Sequence, residues 1–352
     1  VDVFTHEGKF FARGFFNQRS KIQVRILTFQ EEAIDDRFWA TRVDRAVALR
    51  RRVVRDTNAY RIVHGEADLL PGLVVDRYAD VLVMQALAAG MDRRKDLFAD
   101  LLLKATGAER LYLRNDPKSR ALEGLPLERA FLRGGGQTTV DVHEHGARFQ
   151  VDFERGQKTG WFCDQRDNRL AAASLAQDAD VLEVFCHTGA FSIHAARHGA
   201  RSVEGYDVSA DALALAREHA ARNGLEGRCV YGGGDAFEVL RQLDREGRRY
   251  DLVILDPPAF ARSRQAVAHA LAGYKDVNLQ ALRVLRPDGF LVTCSCSHHV
   301  SEGQLWQAIL DAARDARKQI RLLESRSQGR DHPVLPSMPE TRYLKCFILQ
   351  AM

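Results

Sequence analysis

Cysteine, tryptophan and proline are sparse in this chain, with 6, 3 and 9 among 352 residues. The thiols, Cys163, Cys186, Cys229, Cys294, Cys296 and Cys346, form no C-x-x-C pair and have no Cys/His spacing suited to zinc. That argues against a zinc ribbon and a disulfide framework, and reduced thiols in a cytoplasmic protein are the simplest account. No run of 18 or more apolar residues exists, so no transmembrane helix is expected. No signal-peptide pattern opens the chain, and internal repeats and low-complexity tracts are lacking.

What is present is ample apolar material for a core, 45% of the residues, and a length that suggests two or three domains. The formal net charge of +4 is modest but uneven. Residues 1–56 hold twelve Lys/Arg against eight Asp/Glu, and Arg37 to Arg55 carries seven Arg with one acid, Asp44. A basic arm of this kind suggests a polyanion, nucleic acid first, against the plainer reading of a solvated helix face.

Short alternating runs open the chain, Val1 to Phe4, Lys9 to Gly14 and Ile22 to Thr28, and read as strands of a small β unit. They are too few to close a barrel, so the start of a domain is expected to be missing. Glu31 to Asp56 changes to helical period, with Phe38, Val43, Val47 and Val54 on one face and Arg on the other. Strands return from Tyr60 to Ala86, around a tight turn at Leu70-Pro-Gly-Leu73, and a helix spans Met91 to Thr106. Residues 33–150 read as an α+β domain without recognisable chemistry.

From about residue 151 strands and helices alternate. The strands are Val181–Phe185, Ser202–Asp207, Arg228–Gly232, Tyr250–Asp256 and the stretch Gly289 to Ser297. The helices are Ala190–His198, Ala210–Asn223, Ala236–Arg245, Lys275–Leu285 and Glu302–Ala316. Strands Ile320–Glu324 and Tyr343–Leu349 close the chain. This alternation predicts an α/β domain with a mostly parallel, doubly wound sheet, whose chemistry collects at the carboxyl ends of the strands.

Residues at those ends are therefore the candidates. The first junction lacks the G-x-G-x-x-G that brings amides to a pyrophosphate, and its single Gly189 suits a ligand without phosphates, such as S-adenosylmethionine (SAM). Asp207 ends the next strand, where a carboxylate accepts bonds from ribose hydroxyls. The third junction, Gly234-Asp235-Ala236-Phe237, sets a carboxylate beside an aromatic ring, suited to adenine. Each is weak alone, since an Asp before a helix is usually an N-cap. The fourth strand ends in Asp256-Pro257-Pro258, two prolines that hold the carboxylate in a rigid turn.

The stretch Gly289 to Ser297 reads as a buried strand with a polar tip. Its thiols Cys294 and Cys296 are two residues apart, so in extended chain both face the same way. A thiol at a strand end is either a nucleophile or a small buried hydrophobe. With Asp256 on the neighbouring strand, Cys296 and the carboxylate are expected to share one cleft.

The ordered set Gln157-Lys-Thr-Gly-Trp-Phe-Cys-Asp-Gln-Arg-Asp-Asn168, Phe185-Cys-His-Thr-Gly-Ala-Phe-Ser192, Asp256-Pro-Pro, Gly273-Tyr-Lys-Asp276, Ser295-Cys-Ser297 and His332-Pro-Val334 resembles the bacterial 23S ribosomal RNA large-subunit methyltransferase I family. The resemblance covers nearly the whole chain. It implies a PUA-like RNA-binding domain over 1–32, of which residues 1–29 match only the later part. A central α+β domain over 33–150 and a class I (Rossmann-like) SAM-dependent methyltransferase domain over 151–352 would follow. It further implies 5-methylcytosine in 23S rRNA as product, a homodimer, Cys296 as nucleophile and Asp256 as proton donor. The SAM-binding positions would be Phe162, Gln165, Phe185, Thr188, Gly189, Phe191, Asp207, Asp235, Ala236 and Asp256. Two departures stand out at Ala259, where related enzymes carry either a second Cys or a Lys.

A thiolate added at cytosine C6 makes C5 an enamine carbon able to attack the SAM methyl group, and Asp256 would protonate or hydrogen-bond N3. The target base must leave its stack, which favours single-stranded or partly unfolded RNA. Lys158, Arg166 and Lys275 are candidates for RNA phosphates or the SAM carboxylate, against ordinary surface charge. His187 and Trp161 either line the SAM site or pack in the core. His298-His299 offers too few ligands for a metal. Two other functions compete: a nucleobase N-methyltransferase gripping a ring nitrogen through Asp256-Pro-Pro, and a non-catalytic RNA-binding assembly factor.

Overall fold

Alternating apolar residues make the strands and a 3.6-residue period makes the helices, in a computed structural model that describes residues 1–261 and 263–352. The chain divides into two units, Val1–Cys163 with Arg330–Thr341, and Asp164–Gly329 with Arg342–Met352.

The first unit opens with an antiparallel sheet of β1 (Asp2–Phe4), β2 (Phe10–Phe16) and β3 (Val24–Thr28). Helix α1 (Asp36–Val53) starts where Asp35 accepts a bond from the Phe38 amide at 2.9 Å. A five-stranded sheet follows, in the order β4 (Ala59–His64), β5 (Leu73–Tyr78), β6 (Val81–Ala86), β7 (Arg110–Asn115) and β8 (Glu128–Arg133). The expected single helix over Met91 to Thr106 is two pieces, α2 (Ala89–Asp92) and α3 (Lys95–Thr106). A short helix α4 (Ser119–Leu122) precedes β8. The hairpin of β9 (Thr139–Glu144) and β10 (Ala147–Asp152) turns at His145 and Gly146, both at positive φ, the twist that suits a two-residue loop. Trp39 of α1 packs against Phe98 of α3 in a core shared with Leu73, Leu82 and Leu111.

The basic arm is less basic outside than its sequence suggests. Arg42 lies over the Phe38 ring and donates to the carbonyls of Leu27 and Leu69. Arg50 is 1% exposed and pairs bidentately with Asp68 at 2.5 and 2.8 Å. Arg37, Arg45, Arg51, Arg52 and Arg55 remain exposed.

The second unit begins with α5 (Arg166–Ala173) and builds a seven-stranded sheet. In chain order come β11 (Asp180–Val184), α6 (Ala190–Arg197), β12 (Ser202–Asp207), α7 (Ala210–Arg222), β13 (Cys229–Gly233), α8 (Ala236–Arg245) and β14 (Tyr250–Leu255). Then follow α9 (Val267–Val284), β15 (Leu285–Ser295), α10 (Glu302–Asp315), β16 (Ile320–Arg326) and β17 (Lys345–Ala351). Across the sheet the order is β13-β12-β11-β14-β15-β17-β16, parallel from β13 to β15. β17 runs antiparallel between β15 and β16. Strand order reverses between β11 and β14, which is where such sheets open a ligand crevice. Helices α8, α9 and α10 cover the face bearing Leu182, Val184 and Val253. Helix α9 starts eight residues before the expected Lys275 and takes in Gly273, which packs beneath the Phe260 ring.

Candidate active site

Past β11 the chain turns sharply. Phe185, His187 and Gly189 all lie at positive φ, so three left-handed residues in five positions redirect the backbone into α6. Gly189 is required twice over: its φ is 74°, and a Cβ there would sit 2.5 Å from the Tyr231 hydroxyl. The His187 amide donates to Asp207 Oδ2 at 2.9 Å and the Ser209 amide to Oδ1 at 2.9 Å, so the Asp207 carboxylate is held by main chain. Thr188 is buried, and its carbonyl accepts from His219 Nδ1 at 2.9 Å, which places a proton on that nitrogen. Phe185 is half-buried, whereas Phe191 is packed inside. His187 is half-buried, and burial depresses its imidazole pKa against the opposing charge of Asp207.

At the third tip Asp235 caps α8, accepting from the amides of Phe237 at 3.0 Å and Glu238 at 3.3 Å. It is exposed, and the neighbouring Ala236 is buried. The rings of Phe185 and Phe237 both stand 6.2 Å from Phe260.

Beside this turn lies a residue that motif reading passed over. Glu183 is 1% exposed, on the face of β11 opposite Leu182 and Val184. It accepts from the Ser192 amide at 2.8 Å and from the Ser192 hydroxyl. Burial pushes its carboxyl up to about 8; bonds from Ser192 oppose that, and the charge of Asp256 adds to it. An acid in the otherwise apolar run Val181 to Val184 was the available signal.

The tip of β14 is organised by side chains. Gln165 Nε2 donates to Asp256 Oδ1 at 2.8 Å, and Gln165 Oε1 accepts from Asn168 at 2.7 Å. Asn168 Oδ1 in turn accepts from Arg326 Nε at 2.9 Å. A line of fixed amides, anchored on a guanidinium, thus orients the carboxylate. Gln165 is buried, and Asp256 is half-buried.

Strands β14 and β15 are neighbours, Leu255 opposite Thr293, and the Cys296 thiol lies 4.0 Å from the Pro257 carbonyl. β15 ends at Ser295, so Cys294 lies within the strand and Cys296 one residue beyond it. Cys294 is fully buried opposite Cys346; contact with that thiol, then burial, push its pKa well up. Cys296 is half-buried past the strand end. Tyr274 braces this tip, its hydroxyl accepting from Ser295 Oγ at 2.8 Å and meeting Ser297 Oγ at 2.9 Å.

Other candidates are placed as follows. Phe162 belongs to the first unit, with the Lys158 ammonium 4.7 Å from its ring centre. Trp161 is core: it packs on Phe149 at 4.7 Å and donates to Glu144 at 3.2 Å. Arg166 is buried beside Asp167 at 3.2 Å, and Lys275 pairs with Asp315 at 2.7 Å. His298 stacks on Tyr343 at 5.4 Å. Among the described residues no group of three or more His, Cys, Asp or Glu is placed to hold a metal, and no helix is long and apolar enough to cross a membrane.

A family model described as S-adenosylmethionine-dependent methyltransferase matches residues 126–340, and a PUA-like domain model matches residues 1–29. Ribosomal RNA large subunit methyltransferase I of Shewanella denitrificans is 41% identical over 350 residues, covering 98% of this chain and 88% of that protein. The chain belongs to the ribosomal RNA large subunit methyltransferase I family. The enzyme of the same name from Alteromonas mediterranea is 40% identical over 354 residues, covering 99% of this chain and 89% of the other. A methyltransferase-like structure solved with SAH superposes with a TM-score of 0.87 at 21% identity, over 99% of this chain and 90% of that one, and shares the fold. The motif resemblance, the α/β fold and the PUA-like start are thereby confirmed. Within the large subunit methyltransferase I family the cofactor is SAM, and the residues here fit it. A glycine turn with no room for a Cβ, next to a main-chain-held carboxylate and without a phosphate loop, suits an adenosyl group.

Proposed function

We propose that the protein transfers a methyl group to C5 of a cytosine in 23S ribosomal RNA through a covalent bond between Cys296 and C6. The observation that carries this reading is the pairing at adjacent strand tips: Asp256 oriented by Gln165 at 2.8 Å, and the half-buried Cys296 thiol against Pro257, the next residue. The names of the relatives supply ribosomal RNA as substrate class.

SAM supplies an electrophilic methyl group. Gly189, Thr188 and the Phe185 turn would hold it, with Asp207 on the ribose and Asp235, Ala236 and Phe237 about the adenine. Cys296 Sγ, as thiolate, forms a bond to C6, and the ring electrons shift toward C5. Asp256 donates a proton or a hydrogen bond at N3, where charge would otherwise build. C5 would then take the methyl group, the electron pair of the broken S–CH3 bond staying on the donor sulfur; loss of the C5 proton to a base would expel Cys296 as thiolate from C6, and N3 would return its proton to Asp256. The fixed amides behind Asp256 keep its carboxyl aimed through both halves of the cycle. The five exposed arginines of α1 and the PUA-like sheet are proposed RNA contacts, with the cytoplasm as the compartment.

Nucleoside mass spectrometry of 23S rRNA incubated with the protein and labelled SAM tests the reading. Label in 5-methylcytidine is the expected result. Label on a ring or exocyclic nitrogen would transfer the assignment to an N-methyltransferase, and a protein that binds no SAM in calorimetry would be an assembly factor.

A further inference from the structure

Lys345 opens β17 directly opposite Ser295, at the end of β15 from which Cys296 projects. It is only 7% exposed, and its ammonium donates to the carbonyls of Ser297 at 2.7 Å and Val300 at 2.8 Å. Those two carbonyls span the turn that follows the thiol. Lysine is rarely buried so deeply, and its two bonds here are to neutral carbonyls rather than to a carboxylate. A buried charge with neutral acceptors is destabilising, and a neutral donor would clamp the turn as well. An anion nearby offsets that charge, and a thiolate at Cys296 would be one.

We propose that Lys345 is the positioning residue for Cys296: it clamps the Ser297–Val300 turn behind the thiol, and its ammonium stabilises the thiolate. This rests on Cys296 being the nucleophile. Burial lowers the ammonium pKa to about 8, with Cys296 the foremost group pushing it back up, then Glu302 of α10, while Arg342 lowers it. Lys345 therefore carries its charge below about 8, the range in which it favours the thiolate. The Tyr274 hydroxyl of α9, raised mainly by burial, is a further titratable group near the thiol, and Asp256 directly precedes Pro257, whose carbonyl the thiol meets.

The test is iodoacetamide alkylation of the full chain across about pH 5.5 to 9.5, followed at the Cys296 peptide by mass spectrometry. The other five thiols are buried, so Cys296 reacts first. Wild type should show an alkylation midpoint below the free-thiol value of about 8.5. Lys345→Met and Lys345→Gln should raise the midpoint by about one pH unit and slow alkylation at pH 7 about tenfold, while Lys345→Arg stays near wild type. Equal midpoints in wild type and the neutral variants overturn the proposal. Should both neutral variants fail to fold, a wild-type midpoint at or above about 8.5 overturns it alone. Methyl transfer is a separate readout: full activity in Cys296→Ala would remove the nucleophile reading without altering what alkylation says of the lysine.

Discussion

The two halves of the sheet's carboxyl edge hold their functional groups by different means. At β11, β12 and β13, main chain does the holding: left-handed turns at Phe185, His187 and Gly189, and amides on the carboxylates of Asp207 and Asp235. At β14 and β15, side chains hold side chains, through Arg326, Asn168, Gln165 and Asp256 on one tip and Tyr274, Ser295 and Ser297 on the other. A main-chain cradle depends on backbone shape and tolerates many side chains around it. A buried polar network is all-or-nothing, since each missing member leaves its partner unsatisfied. Binding and chemistry are therefore expected to fail separately.

The sharpest break in that comparison is Cys296→Ala. Methyl transfer should fall by about 10³-fold or more while SAM affinity by calorimetry stays within twofold of wild type. Cys294→Ala, opposite Cys346 in the sheet, should act on stability and leave turnover nearly unchanged. Asp256→Asn comes next, with a loss of about 10²- to 10³-fold in kcat, measured under saturating SAM. An Asn variant as active as wild type would show that no proton or charge is needed at N3.

On the other half the effect should appear in binding. Gly189→Ala forces a Cβ to 2.5 Å from Tyr231 at a φ of 74°, and should cost about 1–3 kcal/mol of stability and weaken SAM binding about tenfold. Thermal melts and SAM titration check it; a variant with a reduced kcat but intact affinity would erase the division between the halves.

The smallest effect concerns pH. Glu183 stays protonated in the folded chain up to about 8, against 4.5 as its ordinary value. Its raised pKa therefore contributes stability that is full below 4.5 and is lost as pH rises through about 8. Glu183→Gln cannot titrate, so its Tm should gain on wild type between about pH 5 and pH 8. Parallel curves would mean that Glu183 is ionised in the fold.

Much of the second unit is legible in the sequence. The strands Ser202–Asp207 and the helix Ala236–Arg245 have the bounds their periodicity predicts. The candidate residues at strand tips, Asp207, Asp235 and Asp256, all stand at carboxyl ends because βα alternation makes that placement nearly automatic. Three things were not legible. Cys294 and Cys296 look alike in sequence, and only the end of β15 at Ser295 separates a core thiol from a half-buried one. Arg42 and Arg50 look like surface charge in an arginine-rich helix, yet both turn inward onto carbonyls and Asp68. Gln165 sits in a quoted motif, but its bond to Asp256 crosses 91 positions.

What this sequence determined by itself was local: element order, helix period, the turns at Gly189 and Pro257, and the acid or thiol that closes each strand. Those follow from backbone sterics and from neighbours within a few residues, which any stretch of chain carries with it. Tertiary structure alone decided that β17 returns antiparallel beside β15, setting Lys345 opposite Ser295, and that an amide relay from Arg326 reaches Asp256. Such pairings depend on closing long loops, and the free energy that selects them is shared over a whole packed core, where no short motif can record it.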